Sequence, residues 1–385
     1  MKIGKDGYDK KYDRGIRKEI MELLISAGCV SYDGLHSLED DHEHRIYSRT
    51  IQKMIEEKSV CLVKYGNKKI VKLLGNPNRR YYKNESGINY YSRYSLVYAE
   101  GSSRYLSDRQ SCKRALLHSE VLMFMYGAGL NATYDNKAMI MSGEPLPDIG
   151  AYYYTSLEVK NTSGYSAVVG ITNDGKKVSN TRSFGMVISP CADYVVYDID
   201  TALIRWSEIS ETQFAFSCGM MLSRLREHNK GIVNSCIVLY KGNSAIKRAF
   251  EATGNKSSKT FISAETGYKE TYYIPYSSEG RALIRMMVSD NWKERLKEYY
   301  LTEYDTNTGS LSVVCDGVKT KNGKEYALLY CIPDITRLYR FLKAAEINPA
   351  RYIIYCYEYQ VSFLKSVVDG LAEVYATEID ETVVY

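Results

Sequence analysis

Asp148, Glu158 and Lys160 are the residues of this 385-residue chain whose types and order could break a bond. They lie in Pro147-Asp148 and, ten positions later, in Glu158-Val159-Lys160. Two carboxylates can hold a hard divalent cation such as magnesium, and a lysine beside them can orient or activate an attacking water. Magnesium, with that chemistry alone, is the one cofactor the sequence suggests. The spacing argues against a working centre. No Gly or Pro interrupts residues 151–160, and if they form one extended strand the two carboxylates lie roughly 30 Å apart. A shared cation would require a sharp bend near Tyr154-Thr155-Ser156. We therefore expect this trio not to be catalytic.

A second set of side chains could bind without reacting. A helix expected over 45–58 buries Ile46, Ile51, Met54 and Ile55, which leaves Arg45, Ser48, Arg49, Gln52 and Lys53 on its polar side. Arg and Gln have the bidentate geometry to read base edges in a major groove. Two short strands are expected at 60–64 and 70–74. The segment between them contains Gly66-Asn67, a pair suited to a tight hairpin turn. Lys64, Lys68, Lys69 and Lys72 on this hairpin would sit against phosphates, fixing register without reading sequence.

The elements around these residues give them an order. Ile16, Ile20, Leu23, Leu24 and Ala27 recur at helical spacing over 14–27, and 30–38 reads as a turn and short helix. Helix, short helix, helix and basic hairpin is the order of a winged helix on nucleic acid. The charge falls on the same residues. Residues 1–80 carry 11 Lys and 6 Arg against 6 Asp and 6 Glu, a net of +5, and the remaining 34 basic and 34 acidic side chains cancel.

Residues 81–106 are polar and read as a linker. Residues 107–240 read as helix, strands, helix and strand, with a long helix at 107–129, strand-like segments at 138–141, 151–160, 184–189 and 194–199, a helix at 208–229 and a strand at 235–240. Residues 241–385 extend this with alternating strands and helices, the pattern of a partly parallel sheet. The fold class expected is α/β (α+β overall): an N-terminal winged helix, then a larger mixed α/β domain.

Other chemistries fail on particular residues. The nine cysteines show no Cys-x-x-Cys pair, which argues against a zinc site or a disulfide framework. His42-Glu43-His44 lacks the apolar residue between metal-binding histidines that a relaxase uses. Gly254-Asn255-Lys256-Ser257 has Asn255 where a phosphate loop needs lysine. No apolar run reaches the roughly 18 residues of a membrane span, and the start has no signal-peptide core, so a cytoplasmic protein is expected. Tyrosine is the compositional outlier, at 37 residues against 8 Phe and 2 Trp. Exposed tyrosines could stack on single-stranded bases. Many lie in strand-like runs, where packing is the plainer explanation.

Two resemblances follow from these residues. Pro147-Asp148 with Glu158-Val159-Lys160, and the element order around them, resemble the core of restriction-type nucleases. The chain as a whole resembles the replication-relaxation family of Firmicutes plasmids and conjugative elements over residues 14–240. Beyond the N-terminal unit, the likeness rests on Leu117-His118, Pro147-Asp148, Ser156-Leu157-Glu158-Val159-Lys160, Ser183-Phe184-Gly185, Tyr197-Asp198-Ile199-Asp200, Arg205-Trp206 and Glu211. It departs from the family at Lys160, where many members look more like Glu-x-Asp. The resemblance implies a DNA-binding protein of a mobile element, acting in replication, transfer or their regulation. Its partners would be duplex DNA and a relaxase or replication protein, with a second copy of the chain as a further candidate. The alternatives are a metal-dependent endonuclease targeted by the winged helix and a non-catalytic adaptor.

Overall fold

The computed structural model describes residues 5–36, 38, 44–73, 109–133, 136–137, 150–156, 158–159, 181–200, 208–225, 233–253, 268–309, 311–320 and 323–385. Among these the protein is mixed α/β with three sheets, and it divides into two units, Met1–Leu146 and Pro147–Tyr385. No helix among the described residues is long and apolar enough to cross a membrane.

In the first unit, Ile16, Ile20, Met21, Leu23 and Leu24 are buried along α1 (Lys5–Ala27). Gly28 ends the helix with φ 77°, and its N–H donates to the Leu24 carbonyl. A left-handed residue after the last turn is the usual helix stop. There follow β1 (Cys29–Ser31), α2 (Tyr32–His36), α3 (His44–Glu56), β2 (Val60–Tyr65), β3 (Lys68–Leu73) and α4 (Arg109–Gly127). The strands form an antiparallel sheet in the order β1-β3-β2. Val30 and Ser31, expected in the turn that opens 30–38, therefore belong to a strand. Three residues carry no periodicity, and only pairing with β3 makes them one.

Both faces of this small sheet are covered. Cys29 and Ile70 pack against Ala115 and Leu116 of α4, with Tyr65 beside them. Val30, Val60 and Val71 point to the opposite face, and α1 and α3 pack against these strands. Ile51 and Met54 of α3 are fully withdrawn from solvent, whereas Ile55 is half-buried and Leu62 of β2 is 40% exposed. The sequence reading placed boundaries at 80, 106 and 240; the chain divides after Leu146, and the helix expected to open the second domain packs on the first unit's sheet. The 81–106 linker and the 138–141 strand lie outside the described residues.

The second unit holds two sheets. One runs β4-β5-β6-β7-β8, made of β4 (Tyr152–Thr155), β5 (Gly185–Ile188), β6 (Asp193–Asp200), β7 (Ser235–Tyr240) and β8 (Glu270–Pro275). β4, β5 and β6 pair antiparallel, and β6, β7 and β8 parallel. Helices α5 (Glu208–Leu225) and α6 (Asn243–Thr253) are the crossovers, as parallel pairing requires. Next come α7 (Ser278–Met287) and α8 (Trp292–Tyr300). The other sheet follows, from β9 (Gly317–Lys319), β10 (Glu325–Leu329), β11 (Arg351–Tyr357) and β12 (Glu373–Thr377), with α9 (Ile335–Ile347) and α10 (Val361–Val368) between its parallel strands. The strand expected at 235–240 is present, and the alternation of strands and helices expected over 241–385 is divided between two sheets rather than one.

Tyrosine fills much of this core. Tyr153, Tyr154, Tyr194, Tyr197, Tyr272, Tyr273, Tyr330 and Tyr357 are among the largest fully buried side chains. Several have hydrogen-bonded phenols, as burial demands. Tyr153 donates to the Phe184 carbonyl at 2.9 Å, Tyr194 to the Met287 carbonyl at 3.1 Å, and Tyr197 to Glu211 at 3.0 Å.

The two sheets meet at a seam. The Tyr273 N–H on β8 donates to the Pro333 carbonyl at 2.9 Å, and Tyr272 bridges Asp334. Asp334 caps α9, its Oδ1 accepting from the N–H groups of Thr336 at 2.8 Å and Arg337 at 3.1 Å, while Oδ2 accepts from Thr271 N–H at 3.4 Å. Burial pushes the Asp334 carboxyl above its ordinary value.

Two stability changes follow. Lys58 ends α3 with φ 58°, a left-handed conformation that costs a side-chain-bearing residue about 1 kcal/mol. Lys58→Gly should raise stability by about that amount, read from the denaturant midpoint at constant slope. Asp334→Ala should lower stability by about 1–2 kcal/mol, whereas Asp334→Asn, whose amide oxygen can still cap α9 but whose NH2 cannot accept from Thr271, should lose less. Equal losses in the two variants would show that the charge, not the cap, matters.

Candidate nucleic-acid interface

The polar side of α3 is a stripe. Arg49, Gln52, Lys53 and Glu56 are all exposed, at the i, i+3, i+4 and i+7 spacing that shares one helix face. Gln52 Nε2 donates to Glu56 Oε1 at 3.1 Å, which holds its amide along the stripe. Ser48 is half-buried, and its hydroxyl accepts from Tyr32 at 3.0 Å. Arg45 lies in the first turn of α3.

The β2–β3 hairpin divides the four lysines between its two faces. Its register pairs Val60 with Leu73, Leu62 with Val71 and Lys64 with Lys69, and directly opposed residues share a face. Lys64 and Lys69 therefore project to the face that carries Val71 and Val30, on which α3 packs. Tyr65, Lys68, Ile70 and Lys72 project to the other face, towards α4. Lys68 Nζ makes a 2.7 Å ion pair with Glu120 of α4. Lys72 is partly buried.

The turn enforces this register. Gly66 has φ 57° and Asn67 has no positive φ, the pattern of a two-residue turn with Gly at its first central position. A Cβ on Gly66 would meet nothing within 4 Å, so the backbone angle, rather than space, is what calls for glycine there.

Tyr32, the first residue of α2, ties the hairpin to α3. Its hydroxyl reaches Ser48, and Lys69 Nζ lies 5.4 Å from the centroid of its ring. Ion pairing by Lys68 and bridging by Tyr32 both involve residues far apart in sequence, so reading the chain for periodicity missed Tyr32 and Glu120.

The second candidate centre is placed differently from the sequence expectation. The strand expected over 151–160 ends at Thr155, and residues 156 and 158–159 are helical. The cause is a capping box. Glu158 Oε2 accepts from the Thr155 N–H at 2.7 Å and from its hydroxyl at 2.8 Å, while the Glu158 N–H faces Thr155 Oγ1 at 3.4 Å. The spacing Thr155-x-x-Glu158 is its signature, legible in the sequence and overlooked there. The bend near Tyr154-Thr155-Ser156 thus exists, and the argument for a roughly 30 Å separation, which assumed an unbroken strand, no longer applies. Asp148 and Lys160 lie outside the described residues, and so does any arrangement of the trio.

Burial, with the negative charges of Glu158 and Asp198, pushes the Tyr153 phenol well above its ordinary value. Asp198 accepts from the Tyr276 hydroxyl at 3.2 Å. Glu211 on α5 is buried and satisfied, with Oε1 taking the Arg182 N–H at 2.7 Å and Oε2 the hydroxyls of Thr181 and Tyr197. No group of three or more His, Cys, Asp or Glu able to hold a metal occurs among the described residues. Glu158, Asp198 and Glu211, which fall on catalytic or family positions, are accounted for as a cap and as hydrogen-bond acceptors.

Compared with known proteins, the chain matches no family model, no curated protein and no solved structure.

The opposed lysines generate a prediction about stability alone. Like charges directly across a strand pair are unfavourable, and opposite charges favourable, by about 0.2–1 kcal/mol. Lys64→Glu, facing Lys69, should therefore raise the thermal midpoint of the protein at low salt, with the gain shrinking as salt is added. A lower midpoint would show that the two side chains do not face each other.

Proposed function

We propose that the first unit is a winged helix that binds duplex DNA, with α3 in the major groove and the β2–β3 hairpin as the wing. One observation carries this reading: two lysines, Lys64 and Lys69, oppose each other on the hairpin face towards α3, a like-charge pairing that no ion pair among the described residues offsets. Residues that break a local rule without a structural gain are the ones to suspect of a functional role. A phosphate between or beside the two ammonium groups would supply the missing counter-charge.

Roles then divide by position. Arg49 and Gln52 on α3 carry the bidentate groups that distinguish base pairs. Lys53, Lys64 and Lys69 add charge for phosphates and fix register. Lys68, turned to α4 and paired with Glu120, contributes to the fold of the unit instead. The second unit is assigned no nuclease role, since Glu158 already has its function as a cap. In the setting implied by the resemblance to the replication-relaxation family, the DNA bound would be a replication or transfer region of a mobile element.

A salt titration tests the proposal. With about four to six phosphates neutralised, log affinity for duplex DNA should fall with log salt at a slope of about −4 to −5. Lys69→Gln should make that slope shallower by about 0.9 on any sequence, and Lys68→Gln should leave it unchanged. Arg49→Ala should in addition relax sequence preference, by about 1–3 kcal/mol at one base pair. A flat salt response in the wild type would defeat the proposal, and equal effects at Lys68 and Lys69 would defeat the assignment of faces.

A further inference from the structure

We infer that Tyr32 is the positioning residue of this interface: it sets the distance between the base-reading helix and the phosphate-binding hairpin, and so governs sequence discrimination without itself touching DNA. The inference rests on the DNA-binding reading above. Tyr32 opens α2, outside both α3 and the hairpin, and contacts each of them through a different part of one side chain. Its hydroxyl donates to Ser48 Oγ at 3.0 Å, in the turn of α3 that precedes Gln52. The ammonium of Lys69 lies 5.4 Å from its ring centroid, within reach of a cation–π attraction.

These contacts act on the two halves of the interface unequally. Lys69 keeps its place on β3 whether or not the tyrosine hydroxyl is present, because the ladder to Lys64 fixes its backbone. Ser48 accepts a hydrogen bond from the hydroxyl itself. Losing that hydrogen bond removes a tie between α2 and the polar side of α3, while Ile51 and Met54 keep the helix docked and the hairpin stays in register. Arg49 and Gln52 sit one and four residues from Ser48, so the lost tie bears on the stretch of α3 that must meet base edges. Bidentate readout depends on placement to a fraction of an ångström, whereas an ammonium near a phosphate tolerates much larger shifts. The bond between Tyr32 and Ser48 therefore bears on discrimination more than on general affinity. Ser48, expected from the sequence to contact DNA, takes the role of anchor.

The test is a double-mutant cycle on the full chain. The probes are a duplex selected from a random library by the wild type and a random-sequence duplex of equal length. Tyr32→Phe keeps the ring under Lys69 and removes the hydroxyl; Ser48→Ala removes the acceptor and leaves Tyr32 intact. Each should weaken binding to the selected duplex about two- to tenfold, the worth of one hydrogen bond, and leave binding to the random duplex unchanged. The double variant should lose no more than either single one, since both remove the same bond. The salt slope should match the wild type throughout, which a general loosening of the unit would not produce. Losses that add in the double variant, or that fall equally on both duplexes, would overturn the inference. So would a Tyr32→Phe variant with full discrimination, even if Ser48→Ala lost it, because that would make Ser48 a direct contact. A wild type that binds no duplex fails the DNA-binding reading itself, and this inference falls with it.

Discussion

The register of one hairpin decides what the first unit presents to solvent. β2 and β3 pair Val60 with Leu73 through to Tyr65 with Lys68. Side chains alternate between faces with a period of two, so a slip of one residue would exchange the two sets completely. Lys64 and Lys69 would turn away from α3, and Val71 would leave the core. Three features hold the register: the positive φ of Gly66 in the turn, the complete burial of Ile70 and Val71 on opposite faces, and the Lys68–Glu120 pair. Adjacent buried residues on a single strand are feasible only because helices cover both sides of the sheet. An isolated hairpin of this length would be marginal in water. The charged face towards α3 thus depends on packing by α4 at the other face.

Much of the first unit was legible from apolar periodicity. Ile16, Ile20 and Leu24 predict α1, Ile51 and Met54 predict the buried side of α3, and Gly66-Asn67 predicts the turn. What stayed hidden were pairings over distance. β1 is three residues long and is defined by its partner on β3, forty residues away in the chain. The contacts of Tyr32 with Ser48 and Lys69 join three elements, and no spacing rule connects them. The division of the lysines was available in principle, from the register that a two-residue turn imposes, but required knowing which residues occupy the turn.

The second unit shows how a motif of correct residue types can arise for local reasons. Glu158 follows Thr155 by three residues, and that interval suits a helix N-terminus as well as it suits an active site. The capping box uses the Glu158 carboxylate to satisfy a backbone N–H that would otherwise lack a partner at the end of β4. Similarly, the excess of tyrosine over phenylalanine is largely a matter of core composition here. A buried phenol brings a donor with it, and Tyr153, Tyr194 and Tyr197 use theirs to reach the Phe184 and Met287 carbonyls and the Glu211 carboxylate. The tyrosine-rich sequence thereby gains directional contacts that phenylalanine would not supply.

The seam between the two sheets of the second unit has a consequence for colloidal behaviour. β8 is the last strand of its sheet, and an outer strand ordinarily offers alternate N–H and C=O groups to any stray chain that approaches. Here the Tyr273 N–H is committed to Pro333, and that of Thr271 faces Asp334. Residues 333–334 cap the edge without extending it into another strand, since the pairing stops at a single bridge. A proline at this point is well chosen, having no N–H of its own to continue a ladder. The loop that begins α9 therefore also works as a gatekeeper, covering the β8 edge against recruitment by a neighbouring molecule in a crowded solution.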